Sequence, residues 1–140
     1  MKTLLWLDDL RDPFTDNWLR DYAPTFDKNR EGVTWVKNYE DFCKWIKTNG
    51  LPYMIAFDHD LGEDIGRAKV ANGMSKRQAR KEKKGTPTGY DAAHWVIEYC
   101  LDKKIAAPDF VVQSANPIGA DNIRGLFSSY IKWSKAHGYS

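Results

Sequence analysis

Four short runs of the chain are almost continuously apolar: Thr3–Leu7, Val33–Val36, Tyr53–Phe57 and Phe110–Gln113. Parallel strands covered on both faces read in this way, whereas a half-exposed strand alternates apolar and polar residues. Between these runs the apolar period lengthens to that of a helix. Trp18, Leu19 and Tyr22 form a first helical face that Thr15 is placed to cap. Tyr39, Phe42, Trp45 and Ile46 mark a second helix over 39–48, closed by Asn49-Gly50. Tyr90, Ala93, Val96, Ile97, Cys100 and Leu101 mark a third over 89–103. Ile123, Leu126, Phe127, Tyr130 and Ile131 recur at i, i+3, i+4, i+7 and i+8 in a fourth. One polar stretch, 63–87, is inserted between the third strand and the third helix.

This alternation predicts an α/β fold, a small three-layer parallel sheet with right-handed crossovers. With the first strand central, the strand order is 2-1-3-4, similar to the flavodoxin-like order without its last βα unit. A length of 140 residues gives a single domain, 1–140. Apolar residues at 42% and charged residues at 29% exclude global disorder. No apolar run approaches the roughly 20 residues needed to span a bilayer, and the first residues lack the greasy stretch of a signal peptide. Cys43 and Cys100 both fall in helical patterns and are expected as free buried thiols. The expectation is a soluble cytoplasmic protein.

The formal charge of +2 conceals an uneven distribution. Residues 67–84 hold eight Lys or Arg against Glu82 alone, leaving 13 basic and 18 acidic residues elsewhere. A mildly acidic body thus carries a basic insert. That insert is either a solvated loop or a lid that raises the local concentration of a polyanion such as a nucleotide.

Ligands of a parallel sheet bind beyond the carboxyl ends of its strands, so the residues that follow each strand are the informative ones. They are Asp8-Asp9-Leu10-Arg11-Asp12-Pro13 after the first strand and Asp58-His59-Asp60-Leu61-Gly62 after the third. Lys37-Asn38 follows the second, and Ser114-Ala115-Asn116-Pro117 the fourth. The first and third strands would be neighbours, roughly 4.8 Å apart. Asp8, Asp9 and Asp58, with Asp60 nearby, then share one small volume. Carboxylates at that range repel, and a hard dication, Mg²⁺ or Mn²⁺, relieves the repulsion; the alternative is that the aspartates cap turns and helices. His59 is a candidate general acid or base, a metal ligand, or a packed loop residue. Ser114 and Asn116, and Thr88 before the third helix, either contact a phosphate or cap helices. Arg11 either clamps a phosphate or pairs with an aspartate. No G-x-G-x-x-G, P-loop, C-x-x-C or G-x-S-x-G motif occurs, which removes the common dinucleotide, P-loop, zinc and serine-hydrolase readings.

Asp8-Asp9 and Asp58 look like the acidic pocket of response-regulator receiver domains, although a receiver has a fifth strand ending in Lys that this chain lacks. A closer likeness lies in LLWLDDLRDP (4–13), FDHDLG (57–62), TGYDAAHW (88–95) and SANP (114–117). Together these resemble the cyclic-phosphate-processing receiver-like family of bacterial and tailed-phage proteins. The resemblance implies that Asp8, Asp9 and Asp58 are metal ligands and that His59 with Asp60 is the acid–base pair. It makes Thr88, Ser114 and Asn116 phosphate contacts. The family often has His before the Ser of the fourth strand, where this chain has Gln113.

The resulting expectation is a metal-dependent phosphodiesterase acting on cyclic nucleotide or cyclic oligonucleotide messengers, with immune evasion as its role if phage-encoded. A non-catalytic nucleotide sponge or a degenerate receiver-type signalling module is the alternative. Nucleic-acid binding through 67–84 is a third reading, disfavoured by the acidic body and the lack of a groove-reading module.

Overall fold

The computed structural model describes residues 2–58, 61, 87–113 and 116–139. Within them the chain builds β1 (Leu4–Leu7), α1 (Trp18–Tyr22), α2 (Pro24–Asp27), a 3₁₀ turn (Arg30–Gly32), β2 (Val33–Val36) and α3 (Tyr39–Asn49). It continues with β3 (Met54–Phe57), α4 (Gly89–Lys103), β4 (Asp109–Val112) and α5 (Pro117–Ala136). The strands form one parallel sheet of order β2-β1-β3-β4. The expected α/β class and strand order are therefore observed. The basic insert lies outside the described residues.

Right-handed crossovers decide which face each helix covers. The chain leaves central β1 for β2 on one side and then steps back across to β3 and on to β4. The helices of the two directions consequently lie on opposite faces. On one face α1 and α2 bury Leu19, Ala23 and Phe26 against Leu4, Trp6, Val33 and Ala56. On the other, α3, α4 and α5 bury Phe42, Ile46, Ala93, Val96, Ile123 and Phe127 against Leu5, Leu7, Ile55, Phe57 and Val112. Phe127 stands at the centre of this larger core, its ring 4.5 Å from Phe110 and 5.4 Å from Phe57. Central β1 is buried throughout, whereas β2 and β4, at the sheet's edges, are only partly so. Cys43 and Cys100 are both free and buried. No helix among the described residues is long and apolar enough to cross a membrane.

The first helix departs from the expected one. Thr15 does not cap it. Its backbone N–H and its hydroxyl both bond the Asp12 carbonyl, at 3.1 and 2.9 Å, and α1 starts only at Trp18 after Asn17. A local turn, reinforced by the Phe14 N–H bonding Asp12 Oδ1, outcompetes helix initiation there.

Candidate metal centre

The register of the sheet assembles the site. Leu7 pairs with Phe57, and Phe57 with Val112, so Asp8, Asp58 and Gln113 emerge side by side one residue later. The ladder carries on past the strand ends. Asp8 N–H bonds the Val36 carbonyl at 3.1 Å, Asp58 N–H the Leu7 carbonyl at 3.0 Å, and Gln113 N–H the Phe57 carbonyl at 2.9 Å. The pleat alternates faces residue by residue, which puts Asp8, Asp58 and Gln113 on the side of Trp6, Ala56 and Val111, the side that α1 covers.

Asp8, Asp9 and Asp58 are all buried, at 0%, 5% and 5% exposure. Each offers a carboxylate oxygen, and the three oxygens lie within 4.8 Å of one another. Oxygens this close could converge on one small cation. All-carboxylate oxygen donors suit Mg²⁺ or Mn²⁺ rather than softer metals. The donor set thus fits the expected dication.

The loop after β1 is pinned from several sides. Asp8 Oδ1 accepts the backbone N–H groups of Leu10 and Arg11 at 3.0 and 2.9 Å. The indole N–H of Trp35 donates to the Asp8 carbonyl at 2.8 Å, and that of Trp6 to the Arg11 carbonyl at 3.0 Å. Asp8 is therefore fixed in orientation, with Oδ2 left to face Arg11. Arg11 Nη1 sits 3.3 Å from that oxygen, 3.7 Å from Asp58 Oδ1 and 2.9 Å from the Gln113 carbonyl, to which it donates. Arg11 thus pairs with aspartate, one of the two roles expected of it. Its guanidinium carbon also lies 5.1 Å from the centre of the Trp18 ring.

Gln113 is 1% exposed. Its Nε2 reaches past β3 to donate to the Leu7 carbonyl at 3.1 Å, while its Oε1 has no hydrogen-bond partner among the described residues. Trp6 and Trp35 are site-shaping residues that sequence reasoning did not assign, whereas Gln113, noted there as standing where the family often has His, is buried beside Asp8 and Asp58. The i, i+2 spacing of Trp6 and Asp8 was the signal available for the first.

Thr88 and Asn116 both cap helices. Thr88 Oγ1 accepts the Asp91 N–H at 3.3 Å while the Asp91 carboxylate accepts the Thr88 N–H at 2.7 Å, a reciprocal capping box. Asn116 Oδ1 accepts the Gly119 N–H at 3.0 Å, with Pro117 opening α5. His59, Asp60 and Ser114 lie outside the described residues.

No curated protein and no solved structure matches the chain. A family model does, that of the cyclic-phosphate processing receiver domain, over residues 3–129. This span takes in all four strands and every aspartate of the pocket. The chain belongs to the family of cyclic-phosphate processing receiver domains.

Proposed function

We propose that this protein is a metal-dependent phosphodiesterase that hydrolyses cyclic nucleotides or cyclic oligonucleotides. One observation carries the reading: three buried carboxylates, delivered by two neighbouring strand ends, lie within reach of a single cation. Membership of a cyclic-phosphate processing family supports the substrate class. Three negative charges so enclosed are costly unless a cation compensates them.

Asp8, Asp9 and Asp58 would hold Mg²⁺ or Mn²⁺, which when bound supplies Lewis-acid activation of the phosphoryl group and of the attacking water. Arg11 would offset the charge that develops on the phosphate oxygens. His59, which directly follows Asp58, would move the proton, with Asp60 orienting its ring. Thr88, Ser114 and Asn116 would contact the phosphate, and the basic stretch 67–84 would draw the anion in. Nucleotide messengers of host defence fit this chemistry, in which case the role is immune evasion.

A second reading, a nucleotide sponge that binds without turnover, is favoured by Gln113. Its neutral amide lies beside the pocket and cannot shuttle a proton as an imidazole does. One experiment separates the two. The protein is incubated with Mn²⁺ and a panel of cyclic mono- and dinucleotides, and the products are resolved chromatographically. Linear products from wild type that disappear in Asp58→Ala and His59→Ala support the enzyme. Tight binding with the ligand recovered intact supports the sponge, and neither binding nor turnover overturns both.

A further inference from the structure

We infer that Arg11 is a built-in counter-ion of the acidic pocket that yields its place to the dication and is released towards the phosphate of the ligand. The inference rests on the metal reading above and specifies how loading of that same site is regulated. Asp8 is the key to it. Its Oδ1 accepts two backbone N–H groups of its own loop, which leaves Oδ2 the more available to a cation. That is the oxygen Arg11 Nη1 faces at 3.3 Å, with Asp58 Oδ1 at 3.7 Å. The guanidinium therefore neutralises the two strand-end carboxylates that a dication would use. A dication on those carboxylates and the guanidinium beside them would repel each other across an enclosed site that screens poorly, so the two compete for the pocket.

Arg11 is also built to leave. Its side chain is 25% exposed, whereas those of Asp8 and Asp58 are 1% and 7% exposed. The exposed part has somewhere to go, because the Trp18 ring already lies 5.1 Å from its guanidinium carbon and attracts a cation over its face. The shortest of the bonds that hold Nη1 inward among the described residues runs to the backbone carbonyl of Gln113, at 2.9 Å, beside that to Asp8 Oδ2 at 3.3 Å. Arg11 thus touches Asp8, Asp58 and Gln113 on one side and the Trp18 ring on the other, and a shift towards that ring would bring it to the rim where a phosphate on the metal would meet it. Without metal Arg11 is a counter-ion of Asp8 and Asp58, and loading of the pocket would free it to bind the anion.

The test is Mn²⁺ binding by calorimetry to wild type and to Arg11→Gln. If only the fraction with Arg11 outward accepts metal, apparent affinity is lowered by that fraction, and R11Q should bind Mn²⁺ about tenfold more tightly. Equal or weaker binding by R11Q overturns the inference while leaving the metal reading standing. Absence of Mn²⁺ binding in both proteins overturns the metal reading and this inference with it. A measurement on wild type alone guards against a misfolded variant. In a ¹⁵N-labelled sample the Arg11 Nε–H resonance, assigned through its side-chain carbons, should move as Mg²⁺ is added. A resonance that stays fixed while Mg²⁺ binds overturns the inference.

Discussion

Cys100 shows what a single buried group does to the pH response. Its thiol is sealed between α4 and the larger core, with the Ala106 carbonyl at 3.7 Å as a weak partner. Desolvation by burial pushes it up from 9.0 to about 12. The same cause lifts Tyr39 from 10.0 to about 12, with Cys43 nearby adding to it. The unfolded chain releases these protons at lower pH than the native one, so their contribution is complete below the unfolded values. It is lost as pH rises from about 9 towards about 12. Cys100→Ala should cost about 1 kcal/mol near neutrality, the scale of deleting one methyl-sized group. Its thermal midpoint should then fall less steeply than that of wild type between pH 8 and pH 10.5. Parallel declines for the two proteins would show that Cys100 ionises as readily in the fold as outside it.

Helix ends make the next scale testable, and α4 has the most informative pair. Its start is a capping box that the sequence carries openly, Thr88-Gly89-Tyr90-Asp91. Its end is the reverse: Lys104 stands in the left-handed region at φ 57°, where glycine is the usual residue. The Lys104 N–H bonds the Leu101 carbonyl and the Ile105 N–H bonds the Cys100 carbonyl, which closes the last turn around that strained residue. A β-carbon in this conformation costs about 1 kcal/mol or slightly more, so Lys104→Gly should stabilise the protein by about that amount in a urea titration. A destabilised variant would mean that the lysine side chain contributes more than its backbone costs. The contrast explains what was legible. α3, α4 and α5 are 11 to 20 residues long and repeat their apolar face several times, so their period is readable. α2 and the 3₁₀ turn, four and three residues long, have no period to read. Thr15 misleads because its turn with Asp12 is a local competitor that leaves no mark in the apolar pattern.

Across the whole molecule the site is a product of sheet order. Asp8 and Asp58 are fifty positions apart and meet because β1 and β3 are parallel neighbours in register, and that much followed from strand-end reasoning alone. The inward position of Arg11, the Gln113 carbonyl that holds it and the two indoles that pin the loop depend on pleat parity and side-chain reach across three strands. No linear motif encodes those. The same architecture ties metal binding to global stability, since its ligands sit on the two central strands and unfolding separates them. A dication that binds only the native state stabilises it by ~2.7 kcal/mol at a hundred times its dissociation constant, which is roughly 10 °C in the midpoint of a chain of this size. Asp58→Asn reverses the balance. In chelator it relieves carboxylate repulsion and should raise the midpoint by the equivalent of about 1 kcal/mol. In saturating Mn²⁺ it should gain almost nothing, because one of three ligands is gone. The two melting curves should therefore exchange order on adding metal, the variant being the more stable in chelator and the less stable in Mn²⁺. A variant less stable than wild type in both conditions would mean that Asp58 stabilises the fold through Arg11 more than its charge opposes it.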